Sequence, residues 1–219
     1  MFGSQLAAQD RNAAGSRFVV VLDAAHGGDG GGARLSNGQT EKAYTLAFSV
    51  RLRSLLMARG IAVVTTRESD VTVNADRRAE IANHANAQAC LSLHASESGS
   101  GVHLFVSSLA PVQGTRFLPW NTAQSAWVLR SLSLAGVMNS ALGHAGMSVT
   151  LGRTALPAID SMACPAVAIE VAPGRGANAP GNAQGADGLD DQGYQARVAE
   201  ALAAALVEWR QEATGVRQP

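Results

Sequence analysis

Apolar residues along the chain fall into two patterns: short unbroken runs, and longer stretches spaced by three or four. Phe18 to Leu22 is an unbroken, valine-rich run that stops at Asp23, as expected of a parallel strand buried on both faces. A glycine-rich segment follows to Gly38. Thr40 then serves as the N-cap of a helix carrying Leu46, Val50, Leu52, Leu55 and Leu56. Gly60 closes that helix, and Ile61 to Thr65 reads as the second strand. A helix over about 73–86 and a strand from Ala89 to Leu93 come next, then a fourth strand, Gly101 to Ser107, placed at a sheet edge. A long helix is expected from about Asn121 to Leu142, a short strand within 146–160, and a buried strand from Ala166 to Val171. An amphipathic helix from about Leu189 to Arg210 completes the pattern. Strands alternating with helices predict one α/β domain, a mostly parallel but mixed twisted sheet of about six strands with helices on both faces.

Composition narrows the classes. The 219 residues are 47% apolar, and 17 basic side chains balance 17 acidic ones. Such a chain can bury a core without staples. The neutral balance excludes the sequence-independent phosphate grip of nucleic-acid binders, so no nucleic-acid partner is expected. No stretch reaches the roughly 18 uninterrupted apolar residues of a membrane span. The first residues lack an apolar core flanked by basic ones, so no intact signal peptide is expected. Lys42 is the only lysine, so Schiff-base or phosphate-loop chemistry would rest on it alone.

Ligand sites in open α/β sheets lie beyond the carboxyl ends of the strands. The first strand ends in Asp23-Ala24-Ala25-His26-Gly27-Gly28, the third in Leu93-His94-Ala95-Ser96, and the strand after Pro165 in Ile169-Glu170-Val171. Glu41 opens the first helix on the same side. Two imidazoles and one carboxylate form a catalytic zinc set that leaves a fourth position for water. A second carboxylate, off the metal, would act as general base. Counting leaves open which of Glu41 and Glu170 takes which part.

These residues belong to a longer ordered set: His26-Gly27-Gly28, Asn37-Gly38-x-x-Glu41-Lys42, Thr66-Arg67-x-x-Asp70, Arg77, Ala82-Asn83, Ser92-Leu93-His94-Ala95 and Pro165-Ala-Val-Ala-Ile-Glu170. With fifteen residues from His26 to Glu41, the set resembles the zinc-dependent N-acetylmuramoyl-L-alanine amidases of the amidase-3 type, over roughly residues 17–210. The resemblance implies one Zn2+ per chain held by His26, Glu41 and His94, with Glu170 as the catalytic glutamate. It implies hydrolysis of the amide between N-acetylmuramic acid and L-alanine in peptidoglycan or muropeptides, outside the cytoplasmic membrane, in the periplasm or extracellular space. The catalytic domain is expected over 17–212, with a flexible extension at 1–16 and a tail at 213–219.

Three features depart from the family pattern. Ala24-Ala25 stands where Pro-Gly or Ala-Gly is usual, which adds a methyl to a tight turn. Val-Ala-Pro follows Glu170, and Glu97 follows His94-Ala-Ser. The stretch Leu109 to Trp120 is shorter than the insertion that carries a plugging helix in regulated members, so no obligatory activator is expected.

Arg67, Glu97 and His103 are the further residues expected to support the site or its substrate. Arg67 ends the second strand on the rim and is expected to anchor loops. His103 lies in a strand close to His94. His84 and His144, on helices, are assigned no role. Cys90 and Cys164 are read as buried thiols, since a disulfide would need their Cα atoms within about 7 Å. A rival reading takes Gly28-Asp-Gly30-Gly-Gly-Ala33 as a dinucleotide fingerprint, but that motif needs a helix at the glycines, and Asn37-Gly38 delays it to Thr40. A catalytically inactive peptidoglycan-binding module is the other rival.

Overall fold

In the computed structural model, which describes residues 17–112, 117–174 and 187–213, the unbroken apolar runs become the strands of one sheet. These are β1 (Val19–Ala24), β2 (Ala62–Thr65), β3 (Ala89–Ala95), β4 (Val102–Ser107), β5 (Val149–Thr154) and β6 (Ala166–Val171), in the order β2-β1-β3-β6-β4-β5. All neighbours pair in parallel except β4 and β6, which are antiparallel. The expected mixed, mostly parallel sheet is present. The helices are α1 (Glu41–Ala58), α2 (Ala75–His84), α3 (Val128–His144), α4 (Pro157–Asp160) and α5 (Gln192–Ala213).

Alternation along each strand divides the core between two faces. Val20, Leu22, Leu91, Leu93, Leu104, Val167 and Ile169 join the buried sides of α1, α3 and α5. Val21, Cys90, Ala166 and Ala168 meet Ala79 and Ala82 of α2, with Ile159 and Met162. This second cover is made of short elements, and the site lies on this face. No described helix is long and apolar enough to cross a membrane.

Four expectations are corrected. The fourth strand is interior, between β6 and β5, and the edges are β2 and β5. The polar, largely exposed β5 has the character of an edge strand, while Val102, Leu104 and Val106 of β4 are fully buried. The long helix is broken: residues Trp120–Ala126 form a 3-10 turn, and α3 begins only at Val128. Gln124 Nε2 donates to the carbonyls of Met162 and Cys164 at 2.7 Å, which fixes that turn against the loop before β6. The closing helix starts at Gln192, because Asp191 Oδ1 accepts the Gly193 amide at 2.7 Å and caps it. Finally, Cys90 and Cys164 form a disulfide, with a Cα separation of 6.2 Å. β3 and β6 are neighbours with Cys90 opposite Ala166, which puts Cys164 on the same face beside it. The expected extension at 1–16 lies outside the described residues, as does the tail from 214 onward.

Candidate metal centre

Strand register assembles the site. His94 of β3 pairs with Glu170 of β6, and Glu170 pairs with His103 of β4, so three titratable side chains share one row on one face. Because β4 runs antiparallel, its first residues reach the rim where β3 and β6 end. The row behind holds Asp23 of β1, Ser92 of β3 and Ala168 of β6.

His26 follows β1 at the start of the glycine loop, with φ of 61°. Positive φ begins there and continues through Gly27 and Gly28, so Ala25 keeps an ordinary backbone and its methyl, buried at 4% exposure, fits the turn. Two buried arginines hold this turn by its carbonyls. Arg67 donates to Ala24 O at 2.9 Å, Ala25 O at 3.0 Å and Lys42 O at 2.7 Å. Arg78 donates to Ala24 O and His26 O, both at 2.7 Å, and pairs with the Asp23 carboxylate. Arg67 is thus an anchor of the loop bearing His26. Burial, then the neighbouring Arg78 charge, pushes its pKa down.

The glycine loop is also clamped from outside. Gly28 donates its N–H to Asp70 Oδ1 at 2.8 Å, while Lys42 Nζ reaches Gly28 O at 2.6 Å and Asp70 Oδ2 at 2.7 Å. The only lysine is therefore committed to holding the loop. No helix begins among the glycines, since α1 starts at Glu41; this removes the dinucleotide reading.

Glu41 sits at the N-terminus of α1, where the helix dipole favours a carboxylate, and is 6% exposed. His26 Nε2 lies 3.1 Å from its Oε2, and His94 Nδ1 lies 3.0 Å from its Oε1. The Ala33 and Ala95 amides donate to the same two oxygens at 2.9 and 3.3 Å. Burial pushes the Glu41 carboxyl up, but the His94 and Ala33 hydrogen bonds and the charges of both imidazoles outweigh it and hold it below the ordinary range.

One ligand atom from each of His26, Glu41 and His94 lies within 4.8 Å of the others. Tetrahedral zinc with bonds near 2.0–2.1 Å spaces its ligands by about 3.3 Å, so two imidazoles and a carboxylate at these separations fit that ion. The backbone closes one side of the donors: a Cβ on Gly32 would stand 2.6 Å from both Glu41 Oε2 and His26 Cδ2. Behind His94 runs a supporting chain. Ser92 Oγ lies 3.3 Å from His94 Nε2 and 2.8 Å from Asp23 Oδ2. Asp23 accepts from Thr66 Oγ1 at 2.7 Å and is 1% exposed. With the Ser92 proton donated to that carboxylate, its oxygen accepts from His94 Nε2–H and leaves the Nδ1 lone pair available to a metal.

Glu170 stands beside this set, its side chain 32% exposed, with His103 Nδ1 2.9 Å from its Oε1. His103 therefore partners the glutamate and not His94. Glu97 Oε1 accepts from the N–H and hydroxyl of Ser36, at 2.8 and 3.0 Å, and ties the end of the glycine loop to the segment after β3. Sequence reasoning missed Asp23, Ser92, Lys42 and Arg78 as parts of the site. A charged residue ending a fully apolar run was the available signal for Asp23.

A family model described as N-acetylmuramoyl-L-alanine amidase matches residues 20–208. Among curated proteins, the chain is 41% identical over 81 residues to the N-acetylmuramoyl-L-alanine amidase AmiA of Escherichia coli (strain K12), covering 37% of this chain and 28% of that protein. It is 39% identical over 84 residues to the endolysin of Bacillus phage SPP1, covering 38% and 31%. These matches span less than a third of either relative's own length. Among solved structures that share the fold are two amidases. The catalytic domain of CwlV, an N-acetylmuramoyl-L-alanine amidase from Bacillus (Paenibacillus) polymyxa var. colistinus, superposes with a TM-score of 0.66 at 22% identity, covering 89% of this chain and 98% of that one. An N-acetylmuramoyl-L-alanine amidase from Clostridium difficile 630 gives 0.67 at 18% identity, covering 90% and 98%.

Proposed function

Because the chain belongs to the N-acetylmuramoyl-L-alanine amidase family, we propose that it hydrolyses the amide joining the lactyl group of N-acetylmuramic acid to L-alanine in bacterial peptidoglycan. The observation that carries this reading is the convergence of His26, Glu41 and His94 to within 4.8 Å, with Glu170 next in the same strand row. His26 Nε2, Glu41 and His94 Nδ1 would hold one zinc ion. A bound zinc would supply Lewis acidity for the hydrolysis. Glu170 takes a proton from the attacking water and returns it to the leaving amine nitrogen. Its Oε1 is engaged by His103, so Oε2 is the oxygen that does this work. Arg67, Arg78 and the Lys42–Asp70 clamp keep the His26 turn in place, and Glu97 secures the far end of the glycine loop.

The reaction takes place in the periplasm or outside the cell, where the polymer lies, and the Cys90–Cys164 disulfide supports an oxidising compartment. The site works without an activator, since the connection from β4 to the 3-10 turn is too short to carry a plugging helix. The test is to incubate zinc-loaded protein with purified peptidoglycan and analyse the products by mass spectrometry. Stem peptides with a free L-alanine amine support the reading. Cleavage elsewhere, or binding without release, refutes it, and the latter result would make the chain an inactive binding module.

A further inference from the structure

We propose that His103 is a positioning residue for the reaction: its imidazole fixes the orientation of the Glu170 carboxylate and reserves one oxygen for proton transfer. The proposal rests on the reading of Glu170 as the base. An ionised carboxylate only accepts hydrogen bonds, so the 2.9 Å contact between His103 Nδ1 and Glu170 Oε1 requires the proton on Nδ1. That bond ties Oε1 and leaves Oε2 for the proton transfer.

The imidazole is itself held on two further sides. The segment after β3 closes on its edge, since a Cβ on Gly99, at φ +81°, would stand 2.5 Å from His103 Cε1 and 2.9 Å from Nε2. Phe105, two residues along the same strand, packs edge-on against it with centroids 6.4 Å apart and ring planes at 76°. Phe105 keeps that place because the residue opposite it on β5 is Gly152, where a Cβ would approach its ring to 2.9 Å. The His103 side chain is 16% exposed, half the exposure of Glu170. A mobile carboxylate at the sheet rim would sample many rotamers, and His103 removes that freedom. A side chain held this way acts on the reacting geometry, where a displacement of 1 Å can cost about 100-fold in rate.

The experiment compares wild type with His103→Ala, His103→Asn and His103→Gln as zinc-loaded full chains on purified peptidoglycan. It measures kcat, KM, zinc affinity by chelator competition, and Tm. His103→Ala is expected to lose about 10–100-fold in kcat with KM and zinc affinity near wild type, because the interaction acts on positioning and not on binding. Asn places its amide nitrogen on Cγ, as Nδ1 is in histidine, so His103→Asn is expected to recover most of the loss. Gln is longer by one carbon, so His103→Gln is not. Unchanged kcat in His103→Ala, or Asn and Gln variants that are alike, overturns the proposal while leaving the amidase reading intact. A wild type that retains zinc and releases no peptide overturns the amidase reading, and the proposal with it.

Discussion

Removing the Cys90–Cys164 disulfide by the double substitution Cys90→Ala and Cys164→Ala should destabilise the domain far more than its two small side chains suggest. The bond closes a loop with a sequence separation of 74. The chain-entropy expression, −2.1 − 1.5R ln n in cal/mol/K, then gives about 4.5 kcal/mol at 25 °C, within the usual range of about 2–5 kcal/mol for a native bridge. Both cysteines are at most 1% exposed, so two alanines also leave a small void between α2 and the sheet. At about 2–4 °C per kcal/mol for a domain this size, Tm should fall by about 9–18 °C. Urea unfolding of both proteins in the metal-free state measures the difference without a ligand contribution. Thiol titration under denaturing conditions should find no free thiol in wild type. Two free thiols would show that the bridge does not form, and a stability loss below about 1 kcal/mol would show that it does not stabilise the fold.

Three further predictions concern the site. Ser92→Ala keeps His26, Glu41 and His94 but removes the oxygen behind His94 Nε2, and should weaken zinc binding about 10–100-fold in chelator competition. Unchanged affinity would break the Asp23–Ser92–His94 chain. Gly32→Ala forces a Cβ to 2.6 Å from Glu41 Oε2 and His26 Cδ2 at φ +68°, so zinc affinity should fall although all three proposed ligands remain. Wild-type affinity would show that the backbone does not close the donor set. For pH, Lys42 and then the Gly28 amide hold the Asp70 carboxyl below its usual 3.8. Its folded pKa is depressed, so the clamp's contribution is present above 3.8 and is lost as pH falls through the lowered value. An NMR titration placing Asp70 at or above 3.8 would contradict this.

Much of the site was legible because its chemistry sits where apolar runs end. His26 and Glu170 interrupt or close buried strands, and their ordered spacing with Glu41 and His94 carried the zinc assignment. What was not legible depends on strand direction and neighbours. His103 read as a companion of His94, yet β4 runs antiparallel beside β6, which hands it to Glu170. The same adjacency problem hid the disulfide, since nothing local to Cys90 or Cys164 says that β3 and β6 are neighbours. Asp23 ended an apolar run in plain view, but its partners Thr66, Arg78 and Ser92 come from three other elements, so its burial made sense only in the fold. Helix starts shifted for local reasons: Gln124 anchors the segment before α3 as a 3-10 turn, and the Asp191 cap delays α5.

A single substitution separates the three proposed ligands from the proposed base. Glu170→Ala should bind zinc with the same stoichiometry as wild type, while muropeptide release falls by about 10²–10⁴-fold, the contribution of a positioned general base. Loss of zinc from Glu170→Ala would make Glu170 a ligand, and release at the wild-type rate would remove it from the reaction; either result would contradict that division of roles.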